Sequence, residues 1–220
     1  MRKGARLIIV LITVAFLLPV IAEEKAFAGS LTAWGRNDFG QASPPAGNNF
    51  VAIAAGCFHS LALKSDGSLV AWGRNDYGQC NVPPGNFTTI AAQSGSGHSL
   101  ALKSDGSLVA WGVNSLGQCN NVPAGNNFVA IAAGSEYGLA LKSNGSLVAW
   151  GSNGYGQRNV PAGNNFVGIA GGGEYGLALK SNGSLVAWGR NDYGQRSVPA
   201  GRNFTAIAAG NGHGLALKGR

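Results

Sequence analysis

Leu61-Ala62-Leu63-Lys64-Ser65-Asp66-Gly67-Ser68-Leu69-Val70-Ala71-Trp72-Gly73-Arg74-Asn75-Asp76-Tyr77-Gly78-Gln79 is the stretch whose reading decides the fold. Two short apolar runs flank Asp66-Gly67, a pair that tolerates the positive φ of a tight hairpin, so residues 61–64 and 69–72 are predicted as antiparallel strands. Asn144-Gly145 and Asn182-Gly183 hold the same place further on. Upstream, Phe50-Val51-Ala52-Ile53-Ala54-Ala55 reads as a third strand, and Phe87, Phe128, Phe166 and Phe204 open its equivalents. Between each Trp-Gly and the next such Phe lies a segment rich in Asn, Gly and Pro, the composition of a loop.

The same pattern recurs along the chain. Tryptophans stand at Trp34, Trp72, Trp111, Trp150 and Trp188, in steps of 38, 39, 39 and 38 residues. A unit of that size cannot bury its own apolar faces and is stabilised by stacking on copies of itself. Leu occupies one face of each sheet, Ala and Val the other. Sheets apolar on both faces stack around an axis, so the expected class is all-β, a β-propeller of about five short blades. Gly29-Ser30-Leu31-Thr32-Ala33 reads like Gly67-Ser68-Leu69-Val70-Ala71, and Leu215-Ala216-Leu217-Lys218 is the strand that should pair with it. The expectation is a ring closed by pairing of the N- and C-terminal strands. The alternative is an open arc or a self-associated partial propeller.

Residues 1–28 read as a signal peptide. Arg2, Lys3 and Arg6 form a basic start, residues 7–22 an apolar run, and Ala26-Phe27-Ala28 a small-x-small cleavage site. The run is short for a membrane span of about 20 residues. Cleavage after Ala28 leaves residues 29–220 as one propeller domain, secreted or periplasmic and without a membrane segment. An uncleaved N-terminal anchor is the other reading of the same run. Four basic and two acidic residues precede Gly29, so residues 29–220 carry 12 basic and 7 acidic side chains, a net charge of +5. Those charges are scattered once or twice per repeat, which argues against a nucleic-acid footprint. Three cysteines, Cys57, Cys80 and Cys119, cannot all pair. A Cys80–Cys119 bridge requires neighbouring repeats to bring the two Cα atoms within about 7 Å.

Trp72-Gly73-Arg74-Asn75-Asp76-Tyr77-Gly78-Gln79, with Gly56-Cys57-Phe58-His59-Ser60-Leu61 and Asp66-Gly67, resembles the repeat of the regulator of chromosome condensation (RCC1) family. The short period is similar to the bacterial type, to which β-lactamase inhibitor protein II belongs. The resemblance covers all of residues 29–220. It differs from WD40 repeats in that Gly, not Asp, follows every Trp. It implies a propeller usually of seven blades, against five repeats here. It implies no catalytic residue for this chain, because no matched motif carries one. Binding of another protein by one end of the propeller, as in the inhibitor relatives, is compatible with it.

His59, His98 and His213 share one repeat position, where the other two copies have Tyr137 and Tyr175. Three histidines raise a metal site. Replacement by Tyr favours instead a ring that caps a strand end and hydrogen-bonds locally. The five tryptophans read as blade-packing core, and Lys64, Lys103, Lys142, Lys180 and Lys218 as a solvated rim at the hairpin ends. No Ser/His/Asp or Cys/His set has a local motif, so neither an enzyme nor a cofactor is expected.

One pattern exceeds the needs of a fold. Repeats one, two and five carry Arg36, Asp38 and Phe39; Arg74, Asp76 and Tyr77; and Arg190, Asp192 and Tyr193. Repeats three and four carry Val113, Ser115 and Leu116, and Ser152, Gly154 and Tyr155. In a closed ring the charged, aromatic loops form one sector, suited to a protein partner because Arg and Tyr dominate interface energies. Duplication of repeats three and four explains the same division without a partner. A second function class is a multivalent glycan-binding lectin using Asn37, Asn75, Asn114, Asn153 and Asn191 with Gln41, Gln79, Gln118, Gln157 and Gln195. Its stacking aromatic is lost at Leu116.

Overall fold

The computed structural model describes residues 28–93, 95 and 97–219; the expected signal peptide therefore lies, except for Ala28, outside the described residues. Among the described residues fourteen strands form five antiparallel sheets in chain order. Blade one is β1 (Phe50–Ala55), β2 (His59–Lys64) and β3 (Leu69–Gly73). Blade two is β4 (Phe87–Ala92), β5 (His98–Lys103) and β6 (Leu108–Gly112). Blade three is β7 (Phe128–Ala133), β8 (Tyr137–Lys142) and β9 (Leu147–Gly151). Blade four is β10 (Phe166–Gly171), β11 (Tyr175–Lys180) and β12 (Leu185–Gly189). Blade five has two strands, β13 (Phe204–Ala209) and β14 (Gly214–Lys218).

The hairpins form where Asp-Gly and Asn-Gly predict them. Gly67 takes φ 82°, and the Asp66 carboxylate accepts from the Ser68 amide at 2.9 Å and the Ser68 hydroxyl at 2.6 Å. Asn144 holds Ser146 in the same way at 3.0 and 2.7 Å. Each first strand shifts register just after its Phe, a local bulge that leaves all five phenylalanines buried.

Packing runs in file. Each blade's first strand lies on the first two strands of the blade before it: β4 on β1 and β2, and so on to β13 on β10 and β11. The leucine face of one sheet meets the Phe, Ile and Trp face of the next. Leu139 and Leu141 thus pack with Phe166, Ile169 and Trp188, and Leu100 and Leu102 with Phe128, Ile131 and Trp150. Burying such a leucine contributes about 1.5–3 kcal/mol. Stability therefore resides between the sheets.

The ring-closing pairing is not formed, and the five sheets make the open arc of the alternative. The N-terminal segment touches a sheet edge only at Gly29, whose amide and carbonyl exchange hydrogen bonds with Phe50 at 2.9 and 3.1 Å. Among the described residues no third strand pairs with β14, and Leu215 and Leu217 are 64% and 63% exposed. Trp34, expected in the blade-packing core, is 84% exposed for the same reason. Strands pair only when edges lie about 4.8 Å apart, and among the described residues no strand of blade five packs on blade one as neighbouring blades pack on each other.

Candidate binding surface

The loop after each third strand is built by its own amides. In blade two's approach, the Asn75 side-chain oxygen accepts the Cys80 amide at 2.8 Å, and the Gln79 side-chain oxygen accepts the Tyr77 amide at 2.9 Å. The equivalent bonds recur at Asn37 and Gln41, Asn153 and Gln157, and Asn191 and Gln195. Then the next tryptophan closes the loop from outside: the indole N–H of Trp111 donates to the Gln79 carbonyl at 2.9 Å, Trp150 to Gln118 at 2.9 Å and Trp188 to Gln157 at 2.8 Å. The amides that a lectin would offer to a sugar are thus engaged inside the loop. What each loop presents is the side chain between them.

Those presented side chains are Phe39, Tyr77, Leu116, Tyr155 and Tyr193, all exposed, at one repeat position. Tyr77 and Tyr193 are 60% and 76% exposed. Arginines organise them into two clusters. Across blades one and two, the Arg74 guanidinium lies 5.1 Å from the Phe39 ring centre and 5.8 Å from those of Phe58 and Tyr77. Arg36 lies 5.2 Å from Phe58, which meets Phe39 edge to face at 5.3 Å. A shallow cavity of about 170 Å³ opens beside Phe58, Arg74 and Tyr77. At the other end of the arc, Arg190 lies 4.8 Å from Tyr155 and 5.6 Å from Tyr193 and pairs with Glu174 at 2.6 Å and Asp192 at 2.7 Å. Hydrogen bonds to Asp192 and Glu174 raise the Arg190 pKa further above its usual value.

The single sector expected from a closed ring is therefore divided in two. Arg36, Asp38, Phe39, Arg74, Asp76 and Tyr77 come together; Arg190, Asp192 and Tyr193 do not join them, because blade five does not reach blade one. Tyr155, set apart with the uncharged repeats, stacks on Arg190. Phe58 and Glu174 were not among the expected site residues. Both occupy the position just before the His/Tyr column, where only repeat one has an aromatic and only repeats three and four a carboxylate.

The His/Tyr column bonds from sheet to sheet instead of capping its own strand. His59 Nε2 lies 2.9 Å from the Ser99 hydroxyl, His98 bonds the Tyr137 backbone, Tyr137 donates to the Tyr175 carbonyl, and Tyr175 to that of His213. Burial pulls the pKa of His59 and His98 down to about 4, while His213 is exposed. Among the described residues no three His, Cys, Asp or Glu side chains gather as a metal site. The three cysteines are free, Cys80 and Cys119 each directing the thiol to a loop carbonyl. Lys142 and Lys180 lie against Phe128 and Phe166 rather than standing wholly in solvent.

A family model for the regulator of chromosome condensation (RCC1) repeat matches residues 50–79, 87–118, 128–157 and 166–195. The chain belongs to the RCC1 repeat family. Among solved structures it is similar to Prp20p of Saccharomyces cerevisiae, at 21% identity and TM-score 0.69 over 88% of this chain and 66% of that one. It is also similar to yeast RCC1 (Prp20) bound to Kap60, at 22% identity and TM-score 0.62 over 77% and 54%. The ectodomain of the Physcomitrella patens receptor kinase CR4 gives 24% identity and TM-score 0.68 over 81% and 51%. These likenesses establish a shared fold, and this RCC1-repeat chain spans between half and two thirds of those chains. No curated protein matches it. The Prp20p structure was described with binding to Gsp1p and histones.

Proposed function

We propose that this RCC1-repeat chain is an exported, non-enzymatic scaffold that binds another protein through the loop rim of its arc. The observation that carries the reading is the Arg36, Phe39, Phe58, Arg74 and Tyr77 cluster, where two guanidinium groups and three rings are packed and still reachable from solvent. Arg and aromatic anchors of this kind dominate protein interfaces. Binding of Gsp1p, histones and Kap60 by the yeast relative is consistent with a protein as partner. The lectin reading draws no support from the loop amides.

The test begins with capture of a partner from exported proteins of the producing cell, followed by affinity measurement. Arg74→Ala or Tyr77→Ala should weaken binding by about 1–2 kcal/mol or more. Val113→Ala should leave it nearly unchanged. Unaltered affinity in both first variants, with melting intact, would remove the cluster from the interface.

Export rests on the pattern of residues 1–28, which we assign as a cleaved signal peptide ahead of a domain at residues 29–220. N-terminal sequencing of the protein recovered outside the cytoplasm should read Gly29-Ser30-Leu31. A sequence starting at Met1 would refute cleavage. No helix among the described residues is long and apolar enough to cross a membrane.

A further inference from the structure

We propose that Arg74 carries a carboxylate-binding subsite, and that the protein partner fills it with an aspartate or glutamate side chain. The inference rests on the protein-binding reading above and names the chemistry that the partner brings.

Arg74 and Arg190 hold the same place in repeats two and five and are held alike. The amide of each donates to the carbonyl of the residue just before the His/Tyr column, Arg74 to Phe58 at 2.8 Å and Arg190 to Glu174 at 2.9 Å. The Nε of each donates to the carboxylate two residues on, Asp76 at 2.5 Å and Asp192 at 2.7 Å. Each guanidinium lies against one ring of its own loop and one of the loop before. For Arg74 these are Tyr77 at 5.8 Å and Phe39 at 5.1 Å; for Arg190 they are Tyr193 at 5.6 Å and Tyr155 at 4.8 Å. Burial matches too, with 31% and 29% of the two side chains exposed.

One group differs. Arg190 Nη1 donates to the Glu174 carboxylate at 2.6 Å, so a second edge of that guanidinium is occupied from within the chain. Blade one has Phe58 where blade four has Glu174, and a phenyl ring has no oxygen to offer. Among the described residues Asp76 is then the one carboxylate on Arg74. Arg190 with Asp192 and Glu174 sums to a charge of −1, whereas Arg74 with Asp76 sums to zero. A guanidinium presents its N–H donors as a planar fork that takes oxyanions on more than one edge.

The space beside Arg74 is open. The cavity of about 170 Å³ is lined by Phe58, Arg74, Tyr77 and Gln79 and by two glycines, Gly95 and Gly97, which put no side chain into it. The occupant is a carboxylate because the chain itself places one on the equivalent arginine. It comes on a protein because Phe39, Phe58 and Tyr77 surround the same guanidinium and give the rest of a partner residue an apolar seat. Half-burial between rings shields such a charge-assisted bond from water, where a fully exposed ion pair gains little.

Two peptides probe the subsite, each N-acetylated and C-amidated, with one tyrosine in a glycine–serine background. One carries two glutamates beside the tyrosine and its twin carries two glutamines. Binding to the full chain is read by NMR through the Arg74 Nε–H resonance, assigned by its loss in Arg74→Lys. The glutamate peptide should move that resonance and bind about tenfold or more tightly than its twin, the worth of a hydrogen bond to a charged group. Phe58→Glu, which gives blade one the residue of blade four, should abolish the preference, while Phe58→Gln, which removes only the ring, should keep it. Glu136 and Glu174 occupy that turn position in blades three and four, so the backbone accepts the change. Glu174→Gln should make the Arg190 resonance respond to the same peptide. Equal binding of the twins, or no binding of either, would overturn the proposal, as would a preference that survives Phe58→Glu or an Arg190 that stays silent in Glu174→Gln. The captured protein separates this subsite from the interface beneath it. Affinity lost in Tyr77→Ala but equal in Phe58→Glu and Phe58→Gln would keep the interface and overturn the carboxylate. Affinity unaltered in both Arg74→Ala and Tyr77→Ala would remove the interface and the subsite together.

Discussion

Gly151→Ala is expected to cost about 2–5 kcal/mol, combining the strain of a left-handed backbone with an overpacking term of about 1–3 kcal/mol. Gly151 ends β9 at φ 91°, and a Cβ there would lie 2.6 Å from the Glu136 carbonyl oxygen, 3.0 Å from the Tyr137 Cα and 3.2 Å from the Gln118 Cα. None of these is the mobile end of a side chain. Relief would have to come from the backbone that Ser152 uses to reach Glu136, a bond of 2.9 Å. Gly35 supplies the control, with φ 98° and nothing within 4 Å of its Cβ position. Gly35→Ala should cost about 1–2 kcal/mol, the backbone term alone. Chemical denaturation of the two variants gives the comparison directly, and equal losses would show that the close approach at Gly151 contributes nothing.

Acid should destabilise the protein well before the carboxylates titrate. His59 and His98 have pKa values near 4 when folded and the ordinary 6.5 when unfolded, so between those values the unfolded chain binds more protons. Stability is therefore complete above pH 6.5 and is lost as the pH falls towards 4. Each shift is worth on the order of 3 kcal/mol, a large part of the stability of a typical domain. His59 has a buried Nδ1 with no acceptor among the described residues, so nothing nearby offsets a charge on its ring. Asp66 and Asp105, lowered by hydrogen bonds from Ser68 and Ser107, act only at lower pH. Melting temperatures from pH 7 to 4 for the native chain and for His59→Gln/His98→Gln decide the matter. The same pH slope in both would mean that other groups carry it.

Much of this architecture is legible in the sequence because its causes are local. Asp66-Gly67 needs only its own φ and Ser68 to turn the chain, and the 38- to 39-residue step needs only counting. The loop amides were legible as invariant residues, though not as a closed internal network, since Gln79 uses both its side chain and its carbonyl. The choice between the closed ring and the open arc was not legible. It depends on how far each sheet turns relative to the last, a sum over whole interfaces such as that of Leu139 with Phe166 and Trp188. The column from His59 to His213 escaped for a similar reason, because its bonds link residues 38 to 40 apart. Phe58 occurs once, and a periodic reading is blind to what happens once.

The tryptophan latch also bears on how such a chain changes length. Every junction uses the same donor, the same carbonyl and the same apolar faces, so a unit inserted between two others meets familiar neighbours on both sides. Gain or loss of one unit alters how much of a circle is covered and leaves each existing junction as it was. Each junction is directional, the indole coming from the later repeat and the carbonyl from the earlier one. Length is thus a quantity that evolution or an engineer can adjust in whole steps, with polarity preserved at every step.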